Sequence, residues 1–291
     1  MNFNRYFIQV MRFKITLILS IYIVLIYPQK NLAQSINIGL FSGGSYYYGD
    51  IVNYSLQSES VKPSLGLFAS YQVSPSISVR ANLMYCRVFG ADSNLKGNSS
   101  ETKWQRDRNL AFYSDIFEVS GVMEYNFIKD NTKGGYVRNR YIPYAFVGIG
   151  AFYFEPKAIH PITGDPIELR PLKLNGVSYS PIALDIPLGI GFRCYVNSDL
   201  QIGLEMSARY TSTSYLDDID GKAKYPDASN LPNDDARIMV SRNKNSMNPI
   251  TQIVSNFSGK PRGKIDYIND LFFVYGITVL YKISSHFGRF Y

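Results

Sequence analysis

The stretch 182-IALDIPLGIGFRCYVNSDLQIGLEMSARY-210 decides the fold. In its first arm Ile182, Leu184, Ile186, Leu188, Ile190, Phe192 and Cys194 share one parity, with Ala183, Asp185, Pro187, Gly189, Gly191, Arg193 and Tyr195 between them. The chain turns at Asn197, Ser198 and Asp199. The return arm sets Leu200, Ile202, Leu204, Met206, Ala208 and Tyr210 against Gln201, Gly203, Glu205, Ser207 and Arg209. Strict alternation over two such arms predicts a hairpin of half-buried strands. Soluble strands average about five or six residues, whereas a tilted strand crossing a bilayer needs about 9 to 11. One face of such a strand meets lipid and the other a polar interior. Taken alone, the hairpin also fits a soluble sandwich or lipocalin-like barrel with its apolar face inward.

The same period recurs in six further segments of the chain, whereas 215–264 has none. Strands are predicted at about 36–48, 65–73, 77–89, 117–127, 142–154 and 271–283, besides the two arms, making eight. Long polar connections are expected at 49–62, 90–108, 156–181 and 215–264. Those at 74–76 and 197–199 are tight, and 128–140 is an intermediate basic turn. Long and short connections therefore alternate, which puts the loops on one rim and the turns on the other, as in outer-membrane barrels. Closing strand eight on strand one would remove both sheet edges, as lipid requires. The predicted fold is an all-β, eight-stranded, antiparallel up-and-down transmembrane barrel.

Composition agrees. Aromatics make up 15% of the chain, as 24 tyrosines, 18 phenylalanines and one tryptophan, a balance suited to strands and interfacial girdles. Arg12 and Lys14 flank an apolar run at 15–27, ended by Pro28 and followed by Ala33. The run is too short to span a membrane as a helix but fits an export signal over 1–33, with Met11 an alternative start. Removing Arg5, Arg12, Lys14 and Lys30 from the 30 basic residues leaves 26 against 23 acids. That near-balance, with no basic stripe, argues against nucleic acid as a partner.

An eight-stranded barrel has room only for its own side chains. The inward parity carries Arg80, Arg193 and Arg209 with Glu118, Glu124, Asp185 and Glu205. Unpaired, each buried charge would cost several kcal/mol, so an internal network is expected. Arg80 and Glu124 sit at similar distances from their turns on neighbouring strands and are expected to meet. Cys86 and Cys194 lie on opposite parities, which argues against a disulfide.

Catalytic chemistry has little foothold. The two histidines, His160 in a loop and His286 near the terminus, do not come from a strand with a suitably placed serine and acid. The segment Asp217-Asp218-Ile219-Asp220-Gly221 lacks the alternating oxygen spacing and terminal glutamate of a calcium loop. It reads as a solvated acidic turn. Glycine pairs such as Gly43-Gly44 lie inside strands, so they are not phosphate cradles. Neither an enzyme nor a cofactor or metal is expected.

Six pieces carry a family resemblance: GGSYYYGDI from Gly43, RNLAFYSDIFEVSGVMEYNF from Arg108, PYAFVGIGAFYFEPKA from Pro143, ELRPL from Glu168, IPLGIGFRCYV from Ile186 and SYLDDIDG from Ser214. In this order they resemble the PorG-like outer-membrane barrels of Bacteroidetes, parts of the Por, or type IX, secretion system. The resemblance implies OmpA/OmpW-like architecture, a site in the outer-membrane lipid with termini and short turns periplasmic, and a non-enzymatic role. It also implies contact with the periplasmic ring of the secretion machine, for which Lys129, Lys133, Arg138 and Arg140 are the candidate surface. Three readings stay open beside it: ordinary membrane-flanking charges at that turn, a general small barrel for envelope stability, adhesion or minor solute passage, and, as the weakest, a lipid-modifying barrel enzyme.

Overall fold

The computed structural model describes residues 35–51, 58–95, 100–130, 132–133, 136–220, 224–226, 230–240, 242, 262–263 and 269–283. The export signal and His286 lie outside them.

Eight long strands form the wall: β1 (Ile36–Tyr48), β2 (Lys62–Ser74), β3 (Ile77–Ala91), β4 (Ala111–Asn126), β5 (Tyr141–Ile159), β6 (Ile182–Tyr195), β7 (Leu200–Thr211) and β8 (Leu271–Ile283). Each pairs antiparallel with its neighbours in sequence, and β1 pairs with β8 through Ile36↔Ile283 to Tyr48↔Leu271, so the sheet closes. No backbone edge of the wall is left to lipid, where each unpaired group would cost several kcal/mol. Among the described residues no helix is long and apolar enough to cross a membrane; the crossing elements are strands.

The register fixes the barrel's dimensions. A path from Ile36 runs through Tyr71, Val79, Met123, Val147, Leu188, Ala208 and Phe273 and returns to β1 at Tyr46, ten residues further along. Eight strands with that stagger tilt by about 40° and enclose a bore of roughly 8 Å backbone radius. Side chains fill such a bore.

The parity of the opening hairpin points apolar side chains outward. Leu184, Ile186, Leu188, Ile190, Ile202, Leu204 and Met206 are all well exposed, Leu204 at 63%, as are Val119 and Ile149 on β4 and β5. A continuous apolar belt of this extent calls for lipid rather than water. Aromatic rings bound it on both sides. Tyr71, Tyr125, Phe127, Tyr141, Phe192 and Tyr281 lie towards the rim with the short turns, and Phe117, Tyr153 and Tyr210 towards the rim with the long loops. Along β4, Phe117 and Tyr125 are eight residues apart, about 20 Å of height at this tilt, comparable to the roughly 25 Å apolar band of membrane barrels.

Several boundaries differ from the sequence expectation. β4 begins six residues earlier, at Ala111, and β5 runs on to Ile159, where the short strand Pro166–Glu168 pairs with it. The loop at 90–108 contains helix α1 (Ser100–Arg108), and the loop at 215–264 contains α2 (Asp234–Val240). These extensions carry the wall above the apolar belt. There the described parts of the loops pack into a cap whose core includes Ile51, Leu110, Phe112, Leu169, Leu216, Ile219 and Met239. Burial of that core gives chain segments without periodicity a defined structure.

Candidate functional site

The inward face of the wall alternates small and large residues for a steric reason. A Cβ on Gly191 would collide with the Tyr144 ring, and one on Gly189 with Phe146. Glycine on β6 thus makes room for large side chains from β5, and the middle of the bore is filled from one wall to the other.

Arg80 of β3 is the centre of the filling. Its guanidinium grips Glu205 of β7 with two bonds, Nη1 to Oε2 at 2.7 Å and Nη2 to Oε1 at 3.1 Å. Nη1 also lies 3.0 Å from Oε1 of Glu124 on β4. Glu124 in turn accepts from Nη1 of Arg193 on β6 at 3.0 Å, and Arg193 Nη2 donates to Asn126 Oδ1 at 2.6 Å. Tyr144 donates its hydroxyl hydrogen to Glu205 Oε2 at 2.8 Å. The rings of Phe68 and Phe146 each lie 4.9 Å from Arg80, and Tyr144 lies 4.2 Å from Arg193, so the cations also rest on π faces. Four charged side chains from β3, β4, β6 and β7 therefore form one neutral set, two arginines and two glutamates. All are at most 6% exposed.

A second pair sits nearer the loop rim. Arg209 Nε donates to Glu118 Oε2 at 3.2 Å, and its Nη1 donates to Ser207 Oγ. Asp185 is buried against Gly150, but neither carboxylate oxygen finds a hydrogen-bond partner among the described residues. Of the seven inward charges expected from parity, six are thus paired and Asp185 is not.

Sequence reasoning missed Glu205 as the main partner of Arg80, along with Tyr144, Asn126 and the two phenylalanines. Tyr144 shares the inward parity of its strand, which could have flagged it. Glu205 could not be matched to Arg80 without the stagger, because they face each other across the bore. Cys86 is buried inside, Cys194 is partly exposed, and both thiols are free.

The acidic segment after β7 needs a correction. Asp217 and Asp218 are not solvated; each is only 1% exposed, inside the cap. Asp218 accepts from Tyr179 at 2.7 Å, and its carbonyl accepts from Arg262 Nη1 at 2.9 Å. Nearby, Arg108 of α1 holds Asp92 with two bonds of 2.8 Å. Among the described residues no group of three or more His, Cys, Asp or Glu side chains is arranged to hold a metal ion.

At the other rim, the turn at 128–140 is pinned through Asp130, whose carboxylate accepts from Tyr195 at 2.7 Å and whose carbonyl accepts from Gln72 at 2.9 Å. Lys129, Arg138 and Arg140 are exposed there. Lys133 lies in a two-residue strand, Thr132–Lys133, paired with Tyr136–Val137.

A closed eight-stranded wall, a greasy belt between aromatic girdles and a bore filled by charge pairs define a small β-barrel of the outer-membrane type. The chain belongs to the family described as Domain of unknown function (DUF6089), whose family model matches residues 16–241. Three solved structures are similar to the chain at low identity. Ail of Yersinia pestis is 9% identical over 87% of this chain and 100% of its own, with a TM-score of 0.39. Neisserial surface protein A is 9% identical over 87% and 98%, at 0.38. OprG from Pseudomonas aeruginosa is 11% identical over 87% and 97%, at 0.39. Likenesses this distant carry no function across. No curated protein matches the chain.

Proposed function

We propose that this protein is a non-enzymatic outer-membrane component of type IX protein secretion, serving the assembly or anchoring of the machine from its turn rim. The observation that carries the reading is the filled bore. A barrel crossed by the Arg80–Glu205 and Arg193–Glu124 pairs is suited to being a scaffold rather than a conduit. The likeness of six sequence pieces to PorG-like barrels supports the particular machine. Termini and turns then face the periplasm, and the capped loops face outward.

The partner surface in this reading is the turn at 128–140. It carries Lys129, Lys133, Arg138 and Arg140 against Asp130 alone, and the pinning of Asp130 gives its base a fixed position. A partner of complementary acidic charge fits it, steered by a field that salt weakens. Enzymatic chemistry has no support at His160. Its Nδ1 accepts the N–H groups of Ile162 and Thr163, and its Nε2 lies 3.7 Å from Asp235, so the ring fastens a loop.

Deletion of the gene tests the reading. The expected result is loss of exported proteins from the medium and cell surface, with periplasmic machine proteins co-purifying with the tagged barrel from solubilised envelopes. Reversing the four basic charges should abolish co-purification while leaving the barrel folded. Normal secretion with a leaky or fragile envelope would instead favour a general small barrel.

A further inference from the structure

Tyr47 stands at the loop-rim end of β1 with no exposed surface. Its hydroxyl oxygen lies 2.8 Å from Asp217 Oδ2 and 2.7 Å from Asp270 Oδ1. A phenol has one hydrogen to donate. It can satisfy one carboxylate, so the second short contact needs a hydrogen supplied from the carboxyl side. The other oxygen of each acid is already an acceptor: Asp217 Oδ1 takes the Ile219 N–H at 2.9 Å, and Asp270 Oδ2 takes the Leu216 N–H at 2.8 Å. The phenol oxygen also accepts the Asp50 N–H, at 3.2 Å, leaving it one lone pair for a protonated carboxyl.

The surroundings favour a proton there. Both acids are at most 4% exposed. Asp50, from the segment after β1, and Asp220, from the same loop as Asp217, add negative charge. Among the described residues two cations lie on that side: Arg108 bonds Asp92 and the carbonyls of Asp50 and Arg262, and the Arg262 guanidinium bonds Asp218.

We propose that Asp217 and Asp270 share one proton through Tyr47, and that this proton is a pH-sensitive latch holding residues 212–220, the start of the loop after β7, onto the mouth of the barrel. Asp217 lies in that stretch and Asp270 directly precedes β8, so one phenol on β1 ties the stretch to the end of the wall. Burial first, then the nearby charges of Asp270 and Asp50, push the Asp217 carboxyl well above the usual carboxylate range. Burial pushes Asp270 up to about 8. The sign follows from linkage. A raised acid is protonated in the closed form and ionised in the open one between about pH 4 and about pH 8, so the closed form loses stability as pH rises through that window and levels off above it.

Amide hydrogen exchange at residues 212–220, on the full-length barrel in detergent micelles, tests this at about pH 6 and about pH 9 after correction for intrinsic rates. Wild type should open at least roughly tenfold more at the higher pH, a change of about 1.4 kcal/mol. In Asp217→Asn or Asp270→Asn the amide donates permanently to the phenol oxygen while its carbonyl keeps the backbone bond. Each should hold the loop closed at both values. Tyr47→Phe should open it at both, with the barrel itself intact. Equal wild-type protection at the two values would overturn the proposal, as would a pH response that survives in both Asn variants. So would calcium restoring full protection to wild type at the higher pH, since a cation would then be doing the proton's work.

Discussion

Replacing Arg80 by methionine perturbs the charged set at its centre. The side chain keeps its apolar stem between Phe68 and Phe146 but loses both bonds to Glu205 and the contact to Glu124. Glu124 still has Arg193, and Glu205 still has the Tyr144 hydroxyl, so the damage falls mainly on Glu205. One buried carboxylate then lacks a counter-charge, and breaking a buried pair from one side costs about 3–5 kcal/mol. Neutralising the orphan, in Arg80→Met with Glu205→Gln, should recover about 2 kcal/mol or more of that loss, because the set is again uncharged overall. Urea titration of the barrel refolded in detergent, followed by the difference in gel migration between folded and heated protein, measures all four members of the cycle. A cost below about 1 kcal/mol for Arg80→Met, or strict additivity of the two changes, would refute the closed network.

Other expectations follow from the same geometry. Leu204→Arg, on the outward face of β7, should cost about 2–4 kcal/mol in lipid, whereas the same change in a soluble protein's exposed position is nearly neutral; unfolding in liposomes decides. Gly191→Leu should strike Tyr144 and cost about 1–3 kcal/mol, while Gly121→Ala, with nothing within 4 Å of the new Cβ, should change stability little. Asp92→Asn leaves the fully buried Arg108 without its carboxylate, so limited proteolysis should cut the loops early while the strands survive.

What the sequence made legible follows from where each residue's environment is encoded. Along β6 and β7 each residue faces either lipid or the bore, so the two environments print a period of two directly into Ile182–Tyr210. Arg80 and Glu124 lie on adjacent strands, and counting from the turns sets their heights. Glu205 reaches Arg80 from the opposite wall, and that meeting depends on a stagger of ten residues that no single strand records. The cap was illegible for a related reason. Tyr47 and Asp270 are 223 positions apart, and loops folded by such contacts need no local period. Asp217 and Asp218 read as a solvated turn because charge usually means water; here a phenol, a tyrosine and an arginine receive them instead.

A nitroxide scan of β7 tests the account most directly. With Cys86 and Cys194 replaced, single labels from Ile202 to Ser207 would be read in liposomes for collision with lipid-soluble oxygen. Labels at Ile202, Leu204 and Met206 should collide freely, and those at Gly203, Glu205 and Ser207 should be shielded. Uniform collision along the strand, the opposite alternation, or a protein that stays in the aqueous fraction would contradict it.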